Sequence, residues 1–291
     1  MIKITALVDN TPGGNRTMVH THGLSFFIET YETSILFDFG PGPEFLQNAG
    51  RLGIDPLSAG YTVCSHSHYD HAAGYKALLQ AGISCPFITG DHFFEEKYTL
   101  DKDDENAYAA FFSRFSRPVK YSYLGCGFSG SDLKKAHVEH IVCKDMLKIV
   151  PGCYAVGGFP RIYAFETIPH RFVKWNGVSM EPDSFDDEII LVLDHPQGLI
   201  VVTGCCHPGI LNILSTIHTR FSRPVQAIVG GIHLTGADDL RVNRTMCLLK
   251  EQGIRFLALN HCSGDSVNQW LKKDGAVSWC RLGSGDCVVF P

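Results

Sequence analysis

Short apolar runs bounded by Gly, Pro, Asn and Asp punctuate the first ninety residues. "IKITALV", "GLSFFIET" and "TSILFDFG" are rich in β-branched and aromatic residues and read as strands. In "PEFLQNAGRLGI" the apolar positions Phe45, Leu46, Ala49 and Leu52 return at helical spacing, and Gly53 marks the end. "GYTVCS" reads as a strand, "AAGYKALLQAG" as a helix and "CPFITG" as a strand. The order ββ(β)αβαβ predicts a layered α/β architecture.

Residues 92–152 break this rhythm. "FFEEKYTLDKDDENAYAAFFSRFSRP" is aromatic-rich and reads as mostly helical, so the segment is expected to be an insertion or cap on one body spanning 1–291. Its Phe111, Phe112, Phe115, Tyr121 and Tyr123 form its own small core or one wall of a pocket for a flat ring. The rhythm resumes with "CYAVGG", "RIYAFETI", "EIILVLDH", "GLIVVTGC", "VQAIVGGIHL", the helix "DDLRVNRTMCLLKEQG", "RFLALNHC", "SVNQWLKKDG" and "DCVVF". "RFSRPV" occurs at 114–119 and 220–225, each read as a helix end turned by Pro into a strand.

Composition narrows the classes. The 291 residues are 45% hydrophobic and 19% charged, with a net charge of −5 and no basic stripe, which argues against a nucleic-acid partner. No apolar run reaches the ~18 residues of a membrane span, and the N-terminus lacks the h-region of a signal peptide. Eleven cysteines, odd in number and scattered through hydrophobic runs, read as reduced thiols of a cytoplasmic protein. There is no CxxC pair and no GxSxG elbow, and the Gly pairs of "AVGGFPRIY" and "IVGGIHL" do not give a GxGxxG loop.

The chemistry concentrates in "SHSHYDH", where His66, His68, Asp70 and His71 follow a hydrophobic run. If that strand continues to residue 68, His66 and His68 share a side, and Asp70 and His71 enter the next helix beside them. Four metal-ligating groups would then surround one mouth at a strand end, where α/β sheets place their sites.

The spacing His-x-His-x-Asp-His resembles the signature of the metallo-β-lactamase superfamily, and the likeness runs through nearly the whole chain. "LVDN", "HGLSFFI", "TGCCHPGI", "GGIHL" and "NHCSG" further resemble the branch of 7,8-dihydropterin-6-methyl-4-(β-D-ribofuranosyl)aminobenzene 5′-phosphate synthase-like proteins. The resemblance implies a four-layer αββα sandwich carrying two divalent ions, zinc first, with iron or manganese as alternatives. It puts His66 and His68 on one ion, Asp70, His71 and His261 on the other, and Asp38 in support of the metal loop.

One departure is informative. Where the superfamily has a bridging Asp, the strand "GLIVVTG" runs into Cys205. Alternation places Cys205 and His207 on one side and Cys206 on the other, so His207 is expected to complete the first ion's set and Cys205 to bridge or support. A thiolate there favours zinc or iron over magnesium or calcium. Asp187 in "DSFDDE" is the weaker candidate, standing where the superfamily's third His falls. His233 and His22 are expected at the rim, His233 as proton donor together with Asp70. Arg161, His170 and Arg171 are candidates for holding a phosphate.

Two such ions activate water near neutral pH, so the expected activity is metal-dependent hydrolysis of a phosphoester or similar activated ester by a metal-held hydroxide. The alternatives are a synthase-like condensation in pterin cofactor assembly, a di-iron redox protein and a non-catalytic metal-binding module. The redox reading is disfavoured because nothing after Asp286 leaves room for a flavin domain. The expected partner is a small molecule, phosphorylated or pterin-like, with neither nucleic acid nor membrane. A homo-oligomer stays open.

Overall fold

The computed structural model describes residues 1–100 and 121–291. Its first sheet contains β1 (Ile2–Val8), β2 (Ser25–Glu29), β3 (Ser34–Phe37), β4 (Tyr61–Val63), β5 (Phe87–Gly90), β8 (His140–Cys143) and β18 (Cys287–Phe290), in the order β18-β1-β2-β3-β4-β5-β8. The second contains β9 (Met146–Val150), β10 (Cys153–Val156), β13 (Ile190–His195), β14 (Gly198–Thr203), β15 (Val225–Gly230), β16 (Phe256–Leu259) and β17 (Ser278–Arg281), in the order β17-β16-β15-β14-β13-β10-β9.

Period-two alternation assembles the layers. Phe26, Ile28, Ile35 and Phe37 of the first sheet meet Leu191, Leu193, Ile200 and Val202 of the second in one buried core. The intervening residues face outward and are also buried. Phe27 and Leu36 pack with Phe45 and Ala49 of α1 (Glu44–Leu52), Tyr75 and Leu78 of α3 (Tyr75–Ala81) and Leu133 of α4 (Gly130–Lys135). Val192, Leu199 and Val201 pack with Leu211 and Leu214 of α5 (Ile210–Arg220), Val242 and Met246 of α6 (Asp239–Glu251) and Val267 of α7 (Asp265–Asp274). The result is the αββα sandwich. Strands covered on both faces read as continuous apolar runs, which is why "EIILVLDH" and "GLIVVTG" were legible.

β3-β4-β5-β8 run parallel, as do β14-β15-β16-β17. Their carboxyl ends open on one rim, so loops after β3, β4, β14, β15 and β16 converge there. A third sheet covers this rim, in the order β12-β11-β6-β7, from β6 (Glu96–Leu100), β7 (Tyr121–Tyr123), β11 (Phe172–Trp175) and β12 (Met180–Pro182).

Two expectations change here. Among the described residues of 92–152, β8 and β9 belong to the main sheets and β6 and β7 join β11 and β12 over the rim, while most of the stretch read as helical lies outside the described residues. Phe111, Phe112, Phe115 and the first "RFSRPV" lie outside the described residues. The second copy behaves as expected, with α5 ending at Arg220 and β15 starting at Val225. "RIYAFETI" forms no strand. Its backbone is taken up at the start of α5, where Asn212 Oδ1 accepts from the Ile162 and Tyr163 N–H groups, both at 2.7 Å, and Glu166 accepts from Leu211 N–H at 3.1 Å. The described residues contain no helix long and apolar enough to cross a membrane.

Candidate metal centre

β4 stops at Val63, so His66 and His68 stand on a loop rather than a strand. Asp38, just past β3, holds that loop. Its Oδ1 accepts from Ser65 N–H at 2.7 Å and its Oδ2 from the Ser65 hydroxyl at 2.8 Å. Asp38 Oδ2 also pairs with His71 Nδ1 at 2.7 Å, which turns His71 Nε2 toward the cavity. Gly204 makes this approach possible, because a Cβ there would lie 2.1 Å from Ser65 Oγ and 3.1 Å from Asp38 Oδ2.

Asp70 and His71 sit on the short helix α2 (Tyr69–Ala72), immediately after His68. The second half of the chain supplies the opposing wall. Glu188 accepts from Cys206 N–H at 2.5 Å and His207 N–H at 2.9 Å, and Phe185 stacks on the His207 ring with centroids 3.7 Å apart. Asp9 Oδ2 accepts from His261 N–H at 2.8 Å, and Asn10 Oδ1 meets His261 Nδ1 at 2.9 Å, leaving Nε2 to the cavity.

Two groups of donors result. Ring nitrogens of His66, His68 and His207 lie within 4.8 Å of one another. His66 Nε2, His68 Nε2 and both His207 nitrogens are buried without a hydrogen-bond partner. Unpaired buried ring nitrogens are costly, and their convergence from three histidines fits a cation as the missing partner. In the second group His71 Nε2 lies 3.0 Å from His261 Nε2 and 3.2 Å from Cys205 Sγ. Asp70 Oδ2 is 3.5 Å from His261 Nε2 and 3.8 Å from His71 Nε2. Cys206 faces the helix layer instead.

Electrostatics divide the same way. Burial holds His66, His68, His207 and His261 well below the usual imidazole value, keeping them neutral and able to ligate. Burial opposes the charge on His71 too, but Asp38 and Asp70 outweigh it and raise His71 to about 9. His233 is held down to about 4 by burial and then by Arg171 and Arg241. That shift favours the neutral imidazole at neutral pH.

The backbone is strained where the groups meet. Asp38, Phe185, Cys206, His233 and His261 all have positive φ, of 56°, 54°, 60°, 45° and 50°. Non-glycine residues in this region carry a cost that surrounding structure must hold in place, and such residues cluster at functional sites.

A cavity of about 540 Å³ opens above both groups, lined by His22, His68, Asp70, His207, His233 and Arg171 among others. His22 Nε2 is 3.1 Å from Asp70 Oδ2. Two candidates fall elsewhere. Asp187 bonds Ser67 N–H at 2.9 Å and Lys97 Nζ at 2.6 Å, so its carboxylate steadies the metal loop and is absent from the donor groups. Arg161 donates to the Ser184 carbonyl and does not line the cavity; Arg171 does.

Sequence reasoning passed over Cys262, Lys97 and Glu188. The first sits beside His261 at an apolar strand end, where alternation turns neighbours apart. Lys97 is one charge among many in a stretch read as helical, and Glu188 is one of four carboxylates in "DSFDDE".

Residues 20–204 match the metallo-beta-lactamase superfamily. The chain belongs to that family. Over 299 aligned residues it is 27% identical to the 7,8-dihydropterin-6-methyl-4-(beta-D-ribofuranosyl)-aminobenzene-5′-phosphate synthase of Methanocaldococcus jannaschii, covering 99% of this chain and 97% of that one. An uncharacterized protein of the same organism is 31% identical over 264 residues, 91% of each chain. The crystal structure of Tm1679, named as a metal-dependent hydrolase of the beta-lactamase superfamily, shares the fold with a TM-score of 0.82 at 24% identity, over 100% of this chain and 99% of that one. As a member of the superfamily the chain carries its sandwich; the family match itself ends at Gly204, just before Cys205.

Proposed function

We propose that this chain is a metal-dependent hydrolase of a phosphoester or similar activated ester. The observation that carries this reading is the set of partnerless buried nitrogens of His66, His68 and His207 at the floor of an open cavity. His66, His68 and His207 would hold one divalent ion. Asp70, His71, His261 and Cys205 would hold a second, with zinc favoured by the nitrogen and sulfur donors.

Divalent ions there would supply Lewis acidity toward a phosphoryl or ester oxygen and favour ionised water at neutral pH. The chain's own residues bind and orient. Arg171, its guanidinium 4.9 Å above the Phe172 ring, offers a charge-assisted anchor for a phosphate beside an apolar plate. His233, neutral, donates a hydrogen bond to the leaving oxygen. His22, half-open to water and paired with Asp70, is placed to return a proton to that oxygen. The partner in this reading is a small phosphorylated molecule.

The full-length similarity to a synthase favours a second reading, a condensation in which the leaving group is a pyrophosphate and the acceptor an aryl ribose phosphate amine. One experiment separates the two. Metal-loaded protein is incubated with a pterin diphosphate and the aryl ribose phosphate, and products are resolved by mass spectrometry. Phosphate release without coupling supports hydrolysis, and coupled product supports the condensation. A protein that takes up no metal and turns over neither substrate refutes both.

A further inference from the structure

Cys205 Sγ, Cys262 Sγ and a ring nitrogen of His261 lie within 4.8 Å of one another, and all three residues line the cavity. Strand alternation would separate neighbours 261 and 262. Instead β16 ends at Leu259, and a single 3-10 turn, His261–Ser263, entered with φ +50° at His261, brings both side chains to the cavity. That turn is held on several sides. Asp9 Oδ2 takes His261 N–H at 2.8 Å, and the Cys262 carbonyl accepts from Thr235 N–H at 3.0 Å and the Thr235 hydroxyl at 2.8 Å.

The space beside the thiol is kept by a glycine. A Cβ at Gly231 would lie 2.5 Å from Cys262 Sγ and 2.4 Å from the Gly204 carbonyl. Cys262 Sγ contacts the Cys205 carbonyl at 3.6 Å. Around the two sulfurs stand His71 Nε2, 3.2 Å from Cys205 Sγ, and Asp70 Oδ2, 3.5 Å from His261 Nε2.

We infer that Cys262 joins Cys205 and His261 as a ligand, making a two-sulfur seat for a borderline-soft divalent cation next to the three-imidazole group. The inference rests on the metal-binding reading above and adds to it a second sulfur ligand. Thiolates select zinc, iron or cobalt over magnesium and calcium. In tetrahedral sites they stand ~2.3 Å from the ion, which requires donors gathered on this scale.

The test uses cobalt(II). Metal-free full-length protein is titrated without oxygen, bound cobalt is counted by elemental analysis, and the thiolate-to-cobalt charge-transfer absorption in the near ultraviolet is recorded. The band is expected in the wild type and in Cys206→Ala, lowered by about half in Cys205→Ser and in Cys262→Ser, and absent when both are changed. X-ray absorption of the zinc-loaded wild type, which needs no variant to fold, is expected to require two sulfur neighbours at one of the ions. A band of wild-type strength in Cys262→Ser, cobalt bound with no band, or fewer than two sulfurs overturns the two-sulfur seat and leaves the imidazole site standing. Failure to bind cobalt at all overturns both.

Discussion

A buried ring nitrogen with no hydrogen-bond partner is costly, and here such nitrogens of three histidines face one another. His68→Ala removes one of the three convergent imidazoles, and His261→Ala removes one from the other group. Each is expected to lower bound metal by about one equivalent in elemental analysis, whereas Cys206→Ala, pointing into the helix layer, leaves it unchanged. Asp38→Asn acts at one remove. It weakens the group that aims His71 Nε2, and metal affinity measured by competition with a chelator is expected to fall ~10–100-fold. Arg171→Ala is expected to raise KM for phosphorylated substrates by about tenfold or more with a smaller change in kcat, since one charge-assisted contact is lost.

Among the elements, the cap sheet is tied to the centre through one buried cation. Lys97 on β6 is 2.9 Å from Asp183 and 2.6 Å from Asp187, lies 4.3 Å from the centroid of Phe185, and through Asp187 reaches the Ser67 backbone. Phe185 in turn stacks on His207. Lys97→Met leaves two buried carboxylates without their cation, and denaturant unfolding is expected to show a loss of about 3–5 kcal/mol. If Lys97 served only the cap, metal affinity would not move with it; the contacts through Asp187 and Phe185 predict that it weakens as well.

For the molecule as a whole, the cavity lies where loops from both sheets converge, so a bound cation crosslinks the two halves. Chelation is expected to lower Tm, because metal binds the folded chain alone; saturation at 100 times Kd contributes about 2.7 kcal/mol. The pH dependence of the metal-free protein has a defined sign. His66, His68, His207 and His261 are depressed by burial, so the unfolded chain binds more protons and stability falls as pH drops below the ordinary histidine value of 6.5. His71, raised to about 9, works the other way and contributes stability that is lost as pH rises through that value. Glu188, pushed up to about 8 by burial, also contributes stability that is lost as pH rises, but the four depressed histidines outnumber these two and predict net acid destabilisation, measurable as a lower Tm at pH 5 than at pH 7.

Alternation and helical spacing made most of the sandwich legible, because strands covered on both sides must be apolar throughout and "EIILVLDH" or "PEFLQNAGRL" admits few other readings. The motif "SHSHYDH" likewise marked the candidate site, and the fold brings its His66, His68, Asp70 and His71 into the two donor groups. What the linear pattern could not convey was which distant carboxylates and sulfurs would complete the arrangement. Asp187 became a partner of Lys97 instead of a donor, Arg171 rather than Arg161 reached the cavity, and Cys262 turned inward beside His261. Those outcomes depend on positive-φ turns beyond the strand ends, where alternation no longer applies and direction is set by hydrogen bonds from Asp9, Glu188 and Asp38, remote in sequence and adjacent only after the sheets have packed.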